Sequence, residues 1–269
     1  METKITKQLL TEPRLTQLDG LRGLAILGVL GNHFGQYNGN FQSGWLGVSL
    51  FFVLSGFLIT RILINQKKLM EENHSGFLYA FKTFYIRRAF RIFPLYYLVL
   101  LTLFLFDLNN ARQLSFSLIT YTFNFIVSGG NFSGPNHLWS LSVEEQFYLV
   151  WPAIVLLSPL PKLPYYMGIV FLIAPLWRLA CFFLQTTREP MHFSTLACLD
   201  CLAAGSLLAW CEFKGHRAWT IYLSITKISG VIMMAVWAIL SFNLIQIQWG
   251  AFRLNGLLAI AQWQYFLVI

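Results

Sequence analysis

About eight stretches of this chain are apolar over close to the ~20 residues a helix needs to cross a bilayer, which leaves few architectures open. They run over 18–34, 45–64, 92–108, 138–158, 166–184, 196–211, 219–242 and 250–269, with a shorter one at 114–127. Only 11% of the 269 residues are charged, against roughly 25% in an ordinary soluble domain. The chain therefore reads as an all-α, polytopic transmembrane helix bundle with eight or nine spanning helices and no soluble domain. The first stretch follows a polar leader, METKITKQLLTEPRLTQ, without a small-residue cleavage site, so a retained helix is expected there rather than a secretory signal.

A net charge of +8 raises the question of nucleic acid. The basic residues gather beside helix ends instead of forming a soluble basic face, so membrane orientation explains them and no nucleic-acid partner is expected. Lys67, Lys68, Lys82, Arg87, Arg88 and Arg91 fall between the second and third spans. Together with Lys4, Lys7 and Arg14 they put the N-terminus and that loop in the cytoplasm. Lys162, Lys214 and Arg217 favour a 114–127 segment that does not cross. The piece FLYAFKTFYIRRAFRIFP interleaves aromatics with cations, the pattern of a basic amphipathic helix on the membrane surface, with Pro94 in the first turn of the next span. The four cysteines, Cys181, Cys198, Cys201 and Cys211, read as buried thiols, and the lone CxxC has no second ligand pair, so no metal is expected. The sequence stops at AQWQYFLVI, still apolar, and is expected to be partial at the C-terminus.

Arg22 and His33 lie in one apolar stretch, LDGLRGLAILGVLGNHF. Eleven residues at about 100° each return to nearly the same helical face, about 16 Å further along the axis. An intramembrane charge and a titratable ring make a functional site the default hypothesis. His33 could serve as a general base. Its structural alternative is a histidine bonded to loop carbonyls at a helix end. Arg22 could instead snorkel, and Asp19 could pair with it on the same face. Glycines at 20, 23, 28 and 31 let a helix or ligand approach closely.

Arg88 and Arg91 share a face at i, i+3, and guanidinium forks suit phosphate oxygens of a nucleotide-bearing donor or of an anionic lipid. In NHLWSLSVEEQFYLVWP, Ser142 and Glu145 match a capping box. Glu144 escapes that explanation; it shares a face with Ser140 and Tyr148 and could bind a hydroxyl or orient the base. Asp200, alone in its span, could line the same cavity or pair with an arginine such as Arg178.

Four blocks in order, LDGLRGLAILGVLGNHF, GWLGVSLFFVLSGFLITRIL, FYIRRAFRIFPLYYL and HLWSLSVEEQFYLVWP, resemble the acyltransferase-3 family of integral-membrane O-acyltransferases. They cover about the first 160 residues; the remainder, Asp200 included, is similar only loosely. The resemblance implies one membrane acyltransferase domain that moves an acyl group, acetyl by preference, from cytoplasmic acyl-CoA to a hydroxyl of a cell-surface glycan or glycolipid. It implies His33 as base or transient acyl carrier, with Arg22 and the Arg88/Arg91 pair on the CoA side. Glu144 would help hold the acceptor, with Asp19, Trp139 and Asp200 as further substrate contacts. Ser49 stands where relatives often have an acid, and Cys198 where an arginine often precedes the aspartate. A bacterial inner membrane is the expected location. A multi-helix transporter and a catalytically silent membrane subunit are the rival classes, although no inverted repeat is visible.

Overall fold

The computed structural model describes residues 16–34, 43–73, 76–187, 189–222 and 224. Its helices are α1 (Thr16–Phe34), α2 (Ser43–Asn73), α3 (Phe77–Leu105), the short α4 (Ser115–Ile119) and α5 (Phe123–Ser128), α6 (Trp139–Leu157), α7 (Leu163–Phe183), the short α8 (Glu189–Phe193) and α9 (Thr195–Lys214). No strand occurs among the described residues. Gly44–Glu72, Phe77–Leu105, Leu160–Phe183 and Glu189–Lys214 are each long and apolar enough to cross a membrane. The protein is an all-helical membrane protein with four such helices among the described residues. The expected count of eight or nine is not confirmed by these, and the stretches at 219–242 and 250–269 fall almost wholly outside the described residues.

The long helices alternate in direction, and side chains fix the pairing. Lys67, near the C-terminal end of α2, donates to Val155 O at 3.3 Å, Leu156 O at 3.0 Å and Ser158 O. It thereby closes the orphan carbonyls at the end of α6. Sequence reasoning made Lys67 a loop charge; it is 6% exposed and acts as this clamp. At the other end Trp45 of α2 stacks on Trp139 of α6, with ring centres 6.1 Å apart. Helices α2 and α9 run parallel, joined by Thr60 donating to Ser206 at 2.8 Å and by the Arg61–Glu212 ion pair at 3.2 Å. Lys68, Lys82, Lys162 and Lys214 accordingly collect at one end of the bundle.

The 114–127 segment is split into the short helices α4 and α5, neither long enough to cross a bilayer, and its polar groups give the reason. Tyr121 sits at a left-handed φ of 54° between α4 and α5, breaking the helix. Gln146 of α6 then donates to Tyr121 O and to Asn124 Oδ1, each at 2.8 Å, while Asn124 donates to Thr195 of α9 at 2.9 Å. These bonds hold the folded segment against one end of the bundle.

The surface helix and the following span are a single helix, α3, with Pro94 in its interior rather than in a first turn. A proline removes one helical N–H and crowds the preceding turn, a defect that membrane helices tolerate when neighbours hold both halves. Below Pro94, Tyr85 donates to Leu149 O at 2.7 Å; above it, Tyr96 donates to Leu118 O at 2.6 Å.

Close approach occurs at glycines of α2 and α9 rather than at Gly20, Gly23 and Gly31 of α1. Gly20, Gly23 and Gly31 have nothing within 4 Å of an added Cβ among the described residues. A Cβ on Gly56 would lie 1.9 Å from Leu202 O, and one on Gly205 would lie 1.9 Å from Val53 O and 2.7 Å from Phe57 N. The neighbours are backbone at the most buried helix pair and cannot swing aside. Gly205→Ala is therefore expected to destabilise the protein by about 1–3 kcal/mol or more. A thermal melt in detergent matching wild type would refute this backbone-to-backbone contact.

Candidate functional site

A cavity of about 560 Å³ opens between α1, α2, α3 and α6. From Phe51 to Ile62 it follows α2 for about 16 Å. The helical period places Phe51, Ser55, Leu58 and Ile62 on one stripe of α2. Asp19 and Arg22 reach the cavity from α1, Arg88 and Arg91 from α3, and Leu141, Glu144 and Tyr148 from α6.

Five of the residues singled out in the sequence thus meet in one place: Asp19, Arg22, Arg88, Arg91 and Glu144. Asp19 accepts from Arg22 at 3.1 Å, the i, i+3 pair expected. Glu144 accepts a 2.6 Å hydrogen bond from Ser55. The Arg88 guanidinium lies 3.9 Å from the centre of the Tyr148 ring, a cation–π contact that fixes its plane. Four guanidinium groups line the cavity, and with Arg61 paired to Glu212 the other three face the two carboxylates of Asp19 and Glu144. The surplus is positive, and low-dielectric walls focus it, so the cavity suits an anionic ligand.

Sequence reasoning missed Arg61 and Ser55. A lone arginine inside an apolar helix is the same signal that marked Arg22, and it was present in SGFLITRIL. Ser55 offered no local signal, because its partner is Glu144, 89 residues away.

The capping-box reading of Ser142 and Glu145 is corrected. Helix α6 begins at Trp139, so Ser142 is already inside it, and its hydroxyl donates back to Leu138 O at 3.2 Å. Glu145 turns from the cavity, and its Oε1 is buried without a hydrogen-bond partner. Trp139 does not line the cavity; it packs between Trp45, Phe52 and Phe193. Asp200 takes the second of its two readings. It binds Arg178 at 2.7 Å, with both side chains 4% exposed or less.

His33 is in the last turn of α1, and the helix is unbroken from Arg22 to it, which preserves the axial spacing of about 16 Å. Its side chain lies outside the described residues. Among the described residues no three His, Cys, Asp or Glu side chains are grouped to hold a metal ion, and the four cysteines are buried free thiols.

A smaller lobe of about 220 Å³ adjoins the main cavity and shares Ile59, Ile62, Arg88 and Arg91 with it.

Residues 15–269 match a family model described as an acyltransferase domain, Acyl_transf_3. The peptidoglycan O-acetyltransferase OatA of Listeria monocytogenes serovar 1/2a is 37% identical over 158 residues, covering 52% of this chain and 24% of that protein. YrhL of Bacillus subtilis (strain 168), which carries a provisional peptidoglycan O-acetyltransferase name, is 35% identical over 159 residues, covering 52% and 24%. A Staphylococcus aureus (strain COL) protein with a provisional O-acetyltransferase name is 31% identical over 219 residues, covering 73% and 35%. The chain spans between about a quarter and a third of the length of these relatives. No solved structure matches it.

Proposed function

The chain belongs to the acyltransferase-3 family, and from that premise we propose that it moves an acetyl group from cytoplasmic acetyl-CoA to a hydroxyl of a cell-envelope glycan. The bundle lies in a bacterial inner membrane with its N-terminus and its lysine-bearing end in the cytoplasm. The observation that carries this reading is the convergence of Arg22, Arg88, Arg91 and Glu144 on one cavity from three helices. An elongated thioester with a polyanionic end suits that cavity: guanidinium forks take the phosphates, and the acyl end extends toward His33.

In this mechanism His33 accepts the proton of the acceptor hydroxyl as the oxygen attacks the thioester carbonyl. The carbon–sulfur bond then breaks, and the departing thiolate takes up a proton to leave as free CoA thiol. Glu144, held by Ser55, orients the acceptor hydroxyl or the base. The acceptor class follows the printed name of the Listeria relative, a peptidoglycan O-acetyltransferase.

Replacing Arg88 and Arg91 by glutamine removes two charged donors from the donor side. Each charge-assisted bond lost is expected to weaken acetyl-CoA binding by about 1.5–3 kcal/mol, roughly tenfold or more per arginine. Calorimetry on the detergent-solubilised protein reads this directly. Unchanged affinity would assign the pair to anionic lipid instead and remove the support for this donor site.

A further inference from the structure

The smaller lobe is lined by Ile59, Ile62, Gln66, Phe84, Arg87, Arg88 and Arg91. Three of these are cations and none is an acid, so the lobe holds positive charge that nothing in its own wall neutralises. Gln66 is 4% exposed, yet its Oε1 is buried without a hydrogen-bond partner, and so is Nε of Arg88. Buried polar atoms are rarely left unmatched, and here two of them belong to residues of one small cavity. Ile59 and Ile62 of α2, together with Phe84, which shares the face of α3 that carries the three arginines, supply apolar wall.

We propose that this lobe is a nucleoside-phosphate subsite, distinct from the part of the cavity where the acyl group reacts. Arg87 and Arg88 take a phosphate, Gln66 pairs with a hydroxyl or amine of the nucleoside, and Phe84 and Ile62 flank its flat ring. A bare phosphate would leave the apolar wall and the Gln66 amide unused, whereas a nucleoside phosphate uses all three features. The lobe alone is smaller than the ~300–1,000 Å³ of common ligand pockets, so it takes one end of a longer ligand whose remainder enters the main cavity through the shared Arg88 and Arg91. This inference rests on the acetyl-CoA reading above and adds Gln66, Phe84 and Arg87 as residues that select the donor.

The test compares acetyl-CoA with acetyl-pantetheine, which keeps the thioester and lacks the nucleotide, on the full-length protein in nanodiscs. Wild type is expected to prefer acetyl-CoA in kcat/KM, and Arg87→Ala and Gln66→Leu are each expected to shrink that preference about tenfold. Adenosine 3′,5′-bisphosphate should compete with acetyl-CoA in wild type and lose potency in both variants. Arg87 is exposed, so its removal leaves the fold intact if Gln66→Leu does not. An unchanged preference in Arg87→Ala, with unchanged competition, overturns the subsite. So does a bisphosphate that never competes while phosphatidylglycerol stabilises wild type and not Arg87→Ala, since the lobe is then a lipid headgroup site. If wild type turns over neither thioester, the donor reading itself fails, a result separable from the first two.

Discussion

His33→Ala is expected to slow acetyl transfer by about 10²–10⁴-fold while leaving acetyl-CoA affinity close to wild type. The split follows from the layout of α1. Arg22 lines the cavity near one end of this helix, and His33 lies in its last turn, eleven residues further on. The helix is continuous between them, so their backbone positions are separated by about 16 Å along its axis, and the two residues are expected to meet different parts of a ligand. A donor anchored at Arg22, Arg88 and Arg91 keeps its phosphate contacts when the imidazole is removed. Only the proton transfer at its far end is lost. Single-turnover acetylation of a glycan acceptor, measured beside calorimetric binding of acetyl-CoA, separates the two. A wild-type rate in His33→Ala would end its assignment as base. Equal losses of rate and affinity would mean that His33 holds the donor rather than the proton.

What the sequence revealed about the site depended on polarity being out of place. Arg22 and Glu144 interrupt apolar stretches, Arg88 and Arg91 share one face of a basic amphipathic segment, and all four line the cavity. Asp19 was found through helix geometry alone, as the i, i+3 partner of Arg22. Arg61 carried the same signal, but its ion pair with Glu212 joins helices far apart in the chain. Local reasoning failed where partners are distant. The S-x-x-E spacing at Ser142 is a cap only if a helix starts there, and a 3-10 turn at Asn136–Leu138 leads into α6, which starts at Trp139, three residues before Ser142. Pro94 looked like a helix start because a proline is cheapest in a first turn. The anchors that carry α3 through it, Leu149 and Leu118, belong to other parts of the fold. The 114–127 segment is apolar enough to suggest a span, yet Gln146 of α6 binds it through Tyr121 O and Asn124, and Asn124 in turn binds Thr195 of α9.

Breaking the Arg178–Asp200 pair is expected to have the largest effect on stability of any single change in the bundle core. Arg178 projects from α7 and donates to Asp200 Oδ2 of α9 at 2.7 Å and to Ala197 O, while the Cys201 amide donates to Asp200 Oδ1 at 2.9 Å. The pair is 4% and 1% exposed, so neither charge can turn to water when its partner is removed. A buried ion left alone costs about 3–5 kcal/mol, whereas exchanging both charges for apolar groups of similar volume is often neutral. Arg178→Met and Asp200→Leu should each lower the melting temperature sharply in detergent, and the double variant should recover most of the loss. Additive losses in the double variant would show that the two charges are not coupled. The same double variant also tests the substrate contact that the family resemblance implies for Asp200. A refolded double variant that still transfers acetyl makes Asp200 a structural residue, while one that is stable but inactive makes it a contact of the acceptor.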